Sequence, residues 1–359
     1  MRTAFLTSAI CTAACVAVAL GCTNASNSPS GADPDPSAGS AGPVARGGDA
    51  DGNINPRLLR RFQPLTTAGS DASKNEPLVD LGHKLYFDPR LSKNDEVSCA
   101  SCHDLAHGGV DGLPTSVGYG KQRGDRNAPT VLNAAGAFSQ FWDGRSGTIE
   151  EQALGPILNP KVLGMPSGAA VVTRLRGIAG YAPLFKAAFP NEATSMTFDN
   201  VGRAIGAYER GLSTPGRWDS FLAGDKNALT AKEKDGLRTF LNVGCMVCHT
   251  GPLLGGATFE RVGVVEPWPN QKDPGRMAVT HSAGDRMMFK VPTLRNVAKT
   301  APYFHDGSGA TLRDAVRLMG KHQLGLELTV VEVDAIATWL GALDGEVPAA
   351  LAARPELPQ

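Results

Sequence analysis

Outside its first 22 residues this 359-residue sequence has no cysteine to spare. Cys11, Cys15 and Cys22 fall in an N-terminal apolar segment, and the other four sit in two short motifs. A framework of structural disulfides is therefore excluded from the body of the chain. An excess of charge is also lacking. The 35 basic residues balance 35 acidic ones with no basic stripe, which argues against nucleic acid as a partner. No apolar run is long enough to span a bilayer comfortably. The chain is 42% hydrophobic, enough to bury a real core, and long enough for two ordinary domains. Its 42 glycines and 25 prolines point to many loops.

The first 22 residues read as an export signal, with Arg2 ahead of an apolar run that ends at Cys22. Ala19-Leu-Gly-Cys22 resembles a bacterial lipoprotein cleavage site, with Cys22 bearing the lipid; simple cleavage is the alternative. Residues 23–53 are rich in Ser, Gly, Ala, Pro and Asp without apolar periodicity, the composition of a flexible tether.

From Ile54 the periodicity is helical. Pro77 opens a run with apolar residues at Leu78, Leu81 and Leu85. Thr148 and Glu151 form a capping-box pattern, and Pro156 is expected to end or kink that helix. Phe198, Val201, Ile205, Tyr208 and Leu212 share one helical face. Thr230 and Glu233 open a further helix, and Thr329 another, with Val333, Ile336, Leu340 and Leu343 inward. Only residues 259–265 look like strand. The class is mainly α with long loops. Each half carries an amphipathic helix, a cysteine motif and a glycine-rich loop, so the reading is two tandem c-type cytochrome-like haem domains. Their expected bounds are 54–212 and 213–345, followed by a tail over 346–359, with a break near residues 213–216.

The two motifs are Cys99-Ala-Ser-Cys-His103 and Cys245-Met-Val-Cys-His249. Cys-x-x-Cys-His is the attachment signature of covalent haem: two thiols take the two vinyl groups, and the next histidine lies under the iron. A zinc site would need four ligands, drawn from both motifs together. A redox dithiol would not need the histidine at all. The sequence therefore predicts two haems, one on Cys99, Cys102 and His103, the other on Cys245, Cys248 and His249. Met319 shares a helical face with Leu312, Ala315 and Val316; taken alone, such a methionine fills a core.

Five further runs carry a family resemblance: Leu85-Tyr-Phe-Asp-Pro-Arg-Leu-Ser92, Gly108-Gly-Val-Asp-Gly-Leu-Pro-Thr-Ser116, Arg126-Asn-Ala-Pro-Thr-Val-Leu-Asn133, Phe141-Trp-Asp-Gly-Arg145 and Thr300-Ala-Pro-Tyr-Phe-His-Asp-Gly307. With the two motifs they make the chain, from about Ile54 to Gly345, resemble the bacterial di-haem cytochrome c peroxidases, a family that includes the maturation enzyme of methylamine dehydrogenase. The resemblance implies an electron-accepting C-terminal haem with His249 and Met319 as axial ligands, and a peroxidatic N-terminal haem with His103 proximal. It implies that Trp142 carries electrons between them, ordinary core packing being its other role. It also implies a calcium ion held by the Asn127 side chain and the carbonyls of Thr300 and Pro302; hard oxygen donors suit that ion.

Two departures stand out against that family. Its distal pocket uses a glutamine, matched by Gln152, and a glutamate, whose place is taken by Val162. A valine cannot shuttle protons, and positioned acid–base catalysis is typically worth about 10²–10⁴-fold. Lys161 beside it points elsewhere. Where some members cap the resting N-terminal haem with a histidine, this chain has Tyr119, either an alternative cap, since tyrosinate can ligate ferric haem, or a loop residue. His107 reads as a loop residue.

The leading expectation is a periplasmic peroxidase that reduces hydrogen peroxide with electrons from a small c-type cytochrome or a copper protein, tethered to a membrane through Cys22. The alternative is a di-haem oxidase or electron-transfer protein with weak peroxide turnover, the reading that Val162 and Tyr119 favour. A zinc-stabilised binding module is the third. A homodimer is compatible with the sequence, which does not set the oligomeric state.

Overall fold

Local caps start the main helices where the sequence places them. In the computed structural model, which describes residues 54–65 and 75–359, helix Glu76–Phe87 begins at Asn75, whose side chain accepts a hydrogen bond from the Leu78 amide. The expected signal (1–22), Cys22 and the tether (23–53) lie outside the described residues. Thr197 caps Phe198–Arg210 by accepting from the Asn200 amide. Thr230 and Glu233 complete a reciprocal box at the head of Ala231–Val243, and Thr329 with Glu332 does so for Val330–Leu340. Each such cap is worth about 1 kcal/mol. At Thr148 only half the box forms: its hydroxyl accepts from the Glu151 amide, while the Glu151 carboxylate accepts from Gly147. Helix Ile149–Leu158 also runs two residues past Pro156. Proline at the last turn forfeits one hydrogen bond, and its carbonyl is used by the Leu163 amide.

The architecture is mainly helical and repeats one device. Glu76–Phe87 packs on Phe198–Arg210, and Ala231–Val243 packs on Val330–Leu340. A glycine makes each contact possible. A Cβ on Gly82 would stand 1.9 Å from the Ala204 carbonyl oxygen, and one on Gly236 would stand 2.0 Å from that of Ala335. One turn further on, an aromatic pair locks each crossing: Tyr86 against Tyr208 at 5.1 Å, Phe240 against Trp339 at 4.5 Å. The expected strand is shorter than read. Phe259–Arg261 pairs antiparallel with Met288–Lys290, and the chain turns away at Gly263, where φ is +75°.

Among the described residues two large hydrophobic cores, and a small cluster of Trp268, Met287 and Phe289, lie within one compact unit. Buried members of the first run from Leu78 to Leu212. Those of the second run from Trp218 to Leu343, with Phe62 added. The ends of the chain are exchanged between them. Ile54, Leu58, Leu59 and Phe62 pack on the second core. They are pinned by the buried Arg295–Asp219 pair (2.7 Å), since Asp219 accepts from the Leu65 amide and the Arg61 carbonyl accepts from Gly251. Conversely Val347 and Leu351 pack on the first core. There Tyr208 donates to the Leu351 carbonyl (2.7 Å), Arg90 to that of Pro358 (2.8 Å), and a His83 ring nitrogen lies 2.8 Å from that of Ala353. The boundaries read from the sequence, with residue 54 opening the first half and 346–359 a tail, cut across this packing. No helix among the described residues is long and apolar enough to cross a membrane.

Candidate functional site

The two Cys-x-x-Cys-His segments adopt related local folds. Cys99–Cys102 forms one helical turn, and Cys245–Val247 forms a 3₁₀ turn. In both, the histidine amide closes the turn on the first cysteine's carbonyl, at 3.0 Å for His103 and 3.1 Å for His249. The chain then folds back under each ring. His103 Nδ1 lies 3.2 Å from the Gly109 carbonyl, and His249 Nδ1 lies 2.9 Å from that of Leu254. A carbonyl facing Nδ1 fixes the proton there and leaves Nε2 as the ligating nitrogen. Burial lowers both imidazole pKa values and so favours the neutral form that binds iron.

Among the described residues all four thiols are unpaired. Burial pushes their pKa values up, Cys245 to about 12. An activated redox dithiol needs the opposite, a depressed thiolate pKa. Among the described residues no three His, Cys, Asp or Glu side chains are placed to share one metal ion. The residues present fit covalent haem: a pair of thiols, a tethered imidazole, and beside the second motif a cavity of about 470 Å³, large and largely apolar.

That cavity gathers several of the residues singled out from sequence. Cys245, Cys248, His249, Met319, Trp142, Asn127, Thr300 and Pro302 all line it. Met319 is the last residue of helix Leu312–Met319, which passes directly into a π-helical turn, Gly320–Leu324. Such turns recur at functional sites because they re-aim one side chain. The Trp142 indole donates to the Asn127 carbonyl (3.0 Å). Asn127 in turn donates through Nδ2 to the Leu113 carbonyl (2.9 Å) and through its amide to that of His305 (2.8 Å).

The residues assigned to the first site sit apart from this cavity. Tyr119 and Val162 are neighbours: the Tyr119 amide donates to the Val162 carbonyl (2.8 Å), and the ring packs on Gly164. Val162 and Cys99 pack against the same core. Gln152 lies on helix Ile149–Leu158, the element that leads into the Val162 turn. Lys161 is exposed and paired with Asp125 at 2.6 Å. His107 is exposed on a turn, its ring against Asp104 at 2.6 Å.

Three groups escaped the sequence reading. His305 is buried, stacks on Phe289 at 4.2 Å, lies edge-on to Trp142 at 6.4 Å, and among the described residues leaves Nε2 without a partner. Its presence in the 300–307 run was the available signal. Arg126 clamps Asp143 and Asp273, both at 2.6 Å, across the two halves. Glu209 is buried, with burial pushing its pKa to about 8 and Oε2 unpartnered among the described residues. Arg126 opens the 126–133 run, which was its signal, whereas Glu209 has no local signature.

Comparison with known proteins agrees with this picture. The family model described as di-haem cytochrome c peroxidase matches residues 76–227. The chain is 43% identical over 294 residues to cytochrome c551 peroxidase of Nitrosomonas europaea, covering 81% of this chain and 87% of that protein. It is 45% identical over 281 residues to cytochrome c551 peroxidase of Pseudomonas aeruginosa, covering 76% and 80%. Among solved structures, a MauG-like protein associated with microbial copper homeostasis superposes with a TM-score of 0.70 at 27% identity, covering 82% of this chain and 96% of that one. With its two histidine-terminated cysteine pairs, its helical frame and these relatives, the chain belongs to the di-haem cytochrome c peroxidase family.

Proposed function

We propose that this protein is a peroxidase with two tandem haem-binding halves: hydrogen peroxide, two electrons and two protons become two waters. The electrons come from a small c-type cytochrome or a copper protein. Bound haem would supply one-electron redox chemistry at two centres, so that two electrons can meet one peroxide. The observation that carries the reading is the matched pair of histidines, each behind two unpaired thiols and each with Nδ1 held by a backbone carbonyl.

The chain's residues divide the work unequally. Met319 lines the cavity of His249 and, with that histidine, would hold the second haem; its soft thioether would raise the potential there. Trp142, fixed through Asn127, provides an aromatic step between the halves. Asn127, Thr300 and Pro302 border the same cavity and would hold calcium with one amide oxygen and two carbonyls. At the first site Gln152 would orient a peroxide, and Tyr119 would either hold the iron through its phenol oxygen or remain a loop residue. The protein works in the periplasm, tethered through a lipid on Cys22.

A second reading, a di-haem oxidase or electron-transfer protein with weak peroxide turnover, is favoured by Val162, which holds no proton at the place of the family's acid. The deciding experiment uses protein made with haem-attachment machinery. Intact mass must show two haems, and steady-state assays must show peroxide-dependent oxidation of a reduced donor cytochrome. Two haems without peroxide-dependent oxidation would select the second reading; bare polypeptide would refute both.

A further inference from the structure

Lys290 is the cation that the cavity leaves unanswered. It ends the short strand Met288–Lys290, and its backbone is fixed on both sides, by pairing with Phe259 and by donation from its amide to the Trp142 carbonyl (2.8 Å). The residue is part-buried and lines the cavity beside His249 and Met319. Among the described residues its ammonium has neither an ion pair nor a hydrogen bond. The other basic side chain lining that cavity, Arg261, donates to the Gly284 carbonyl (2.8 Å). The carboxylate on the same lining, Glu260, belongs to the neighbouring ladder pair, opposite Phe289 rather than Lys290. Successive strand residues face opposite ways, so the two charges are not presented to each other.

An uncompensated ammonium in largely apolar surroundings is costly, and burial alone brings the Lys290 pKa down to about 8. Proteins keep such groups where an anion completes them. The anion must enter the cavity and carry a carboxylate or similar oxygen acceptor. Haem carries two propionate groups and is the occupant assigned to this cavity above.

We infer that Lys290 is the propionate-binding cation of the C-terminal haem, a positioning and potential-setting residue that touches the cofactor. This rests on the two-haem reading. A cation at that place favours the reduced, less positive iron. Its removal leaves the propionate charge exposed to the iron and favours the oxidised state.

The test is made on the haem-loaded protein with K290M, K290Q and K290R. Intact mass first establishes two haems in each. Spectroelectrochemical titration should then give a lower midpoint for the C-terminal haem in K290M and K290Q, with the N-terminal midpoint unmoved. K290R should stay near the wild type. The propionate bending band in resonance Raman spectra should shift in the two neutral variants and hold in K290R. If both midpoint and band match the wild type in fully loaded K290M or K290Q, the assignment is overturned. Selective loss of the second haem in K290M, restored in K290R, would support it. A wild type that carries no second haem would instead overturn the two-haem reading itself.

Discussion

At the scale of single residues, the chemistry turns on a few side chains whose replacements give separable readouts. Val162 is held next to Tyr119 against the first core, at the place proposed above for an acid of the N-terminal site. Val162→Glu is expected to raise peroxide turnover by about 10²-fold, the lower end of what positioned acid–base catalysis supplies. Steady-state rates check this, and no gain would show that the pocket position is misassigned. Met319→Ala is expected to lower the midpoint of the C-terminal haem alone, because a weaker or absent sixth ligand removes the thioether's preference for reduced iron. A redox titration identical to wild type would return Met319 to a packing role. The cysteine and histidine positions were legible because their chemistry requires fixed spacing. Lys290 was not: a lone lysine in a short apolar run has no local signature, and it becomes notable only when the fold withholds a partner from it.

At the scale of elements, capping was legible because it is written within four residues. Thr230 and Glu233 show how a cap is extended by tertiary structure. The Glu233 carboxylate accepts from the Thr230 amide (2.7 Å) and from both terminal nitrogens of Arg217 (2.6 and 2.9 Å). The Arg217 hydrogen bonds, with the cap behind them, take its pKa from 4.5 down to about 2. A folded-state pKa below the unfolded one contributes stability that is present above pH 4.5 and lost as pH falls toward 2. Glu233→Gln should therefore cost about 1 kcal/mol at neutral pH, with the gap to wild type narrowing below pH 4.5 and closing near 2. Thermal denaturation across that range checks it; a gap independent of pH would remove the ionised carboxylate from the account. What the sequence did not disclose was the pairing of helices. Nothing local marks Gly82 and Gly236 as contact points; only the fold brings the carbonyls of Ala204 and Ala335 against them. Likewise the strand at Phe259–Arg261 was visible, but its partner was not, since pairing across 29 residues leaves no periodic trace.

At the scale of the whole molecule, the two cores share their closing segments. Residues 346–359 supply carbonyl acceptors for Tyr208 and Arg90, lie against His83, and give Leu351 to the first core. A chain ending at Gly345 should lose protection in Glu76–Phe87 and Phe198–Arg210 while Ala231–Val243 and Val330–Leu340 keep theirs. Hydrogen exchange read helix by helix would decide it, and equal loss in both pairs would mean that the cores are not separable. The exchange of ends also sets an order of events. Along the chain the first pair of thiols comes well before the strap that finishes the core around them. The second pair emerges with its own strap, residues 54–62, already waiting. The half made first is thus the half completed last, and its cysteines stay open to modification for the longer time.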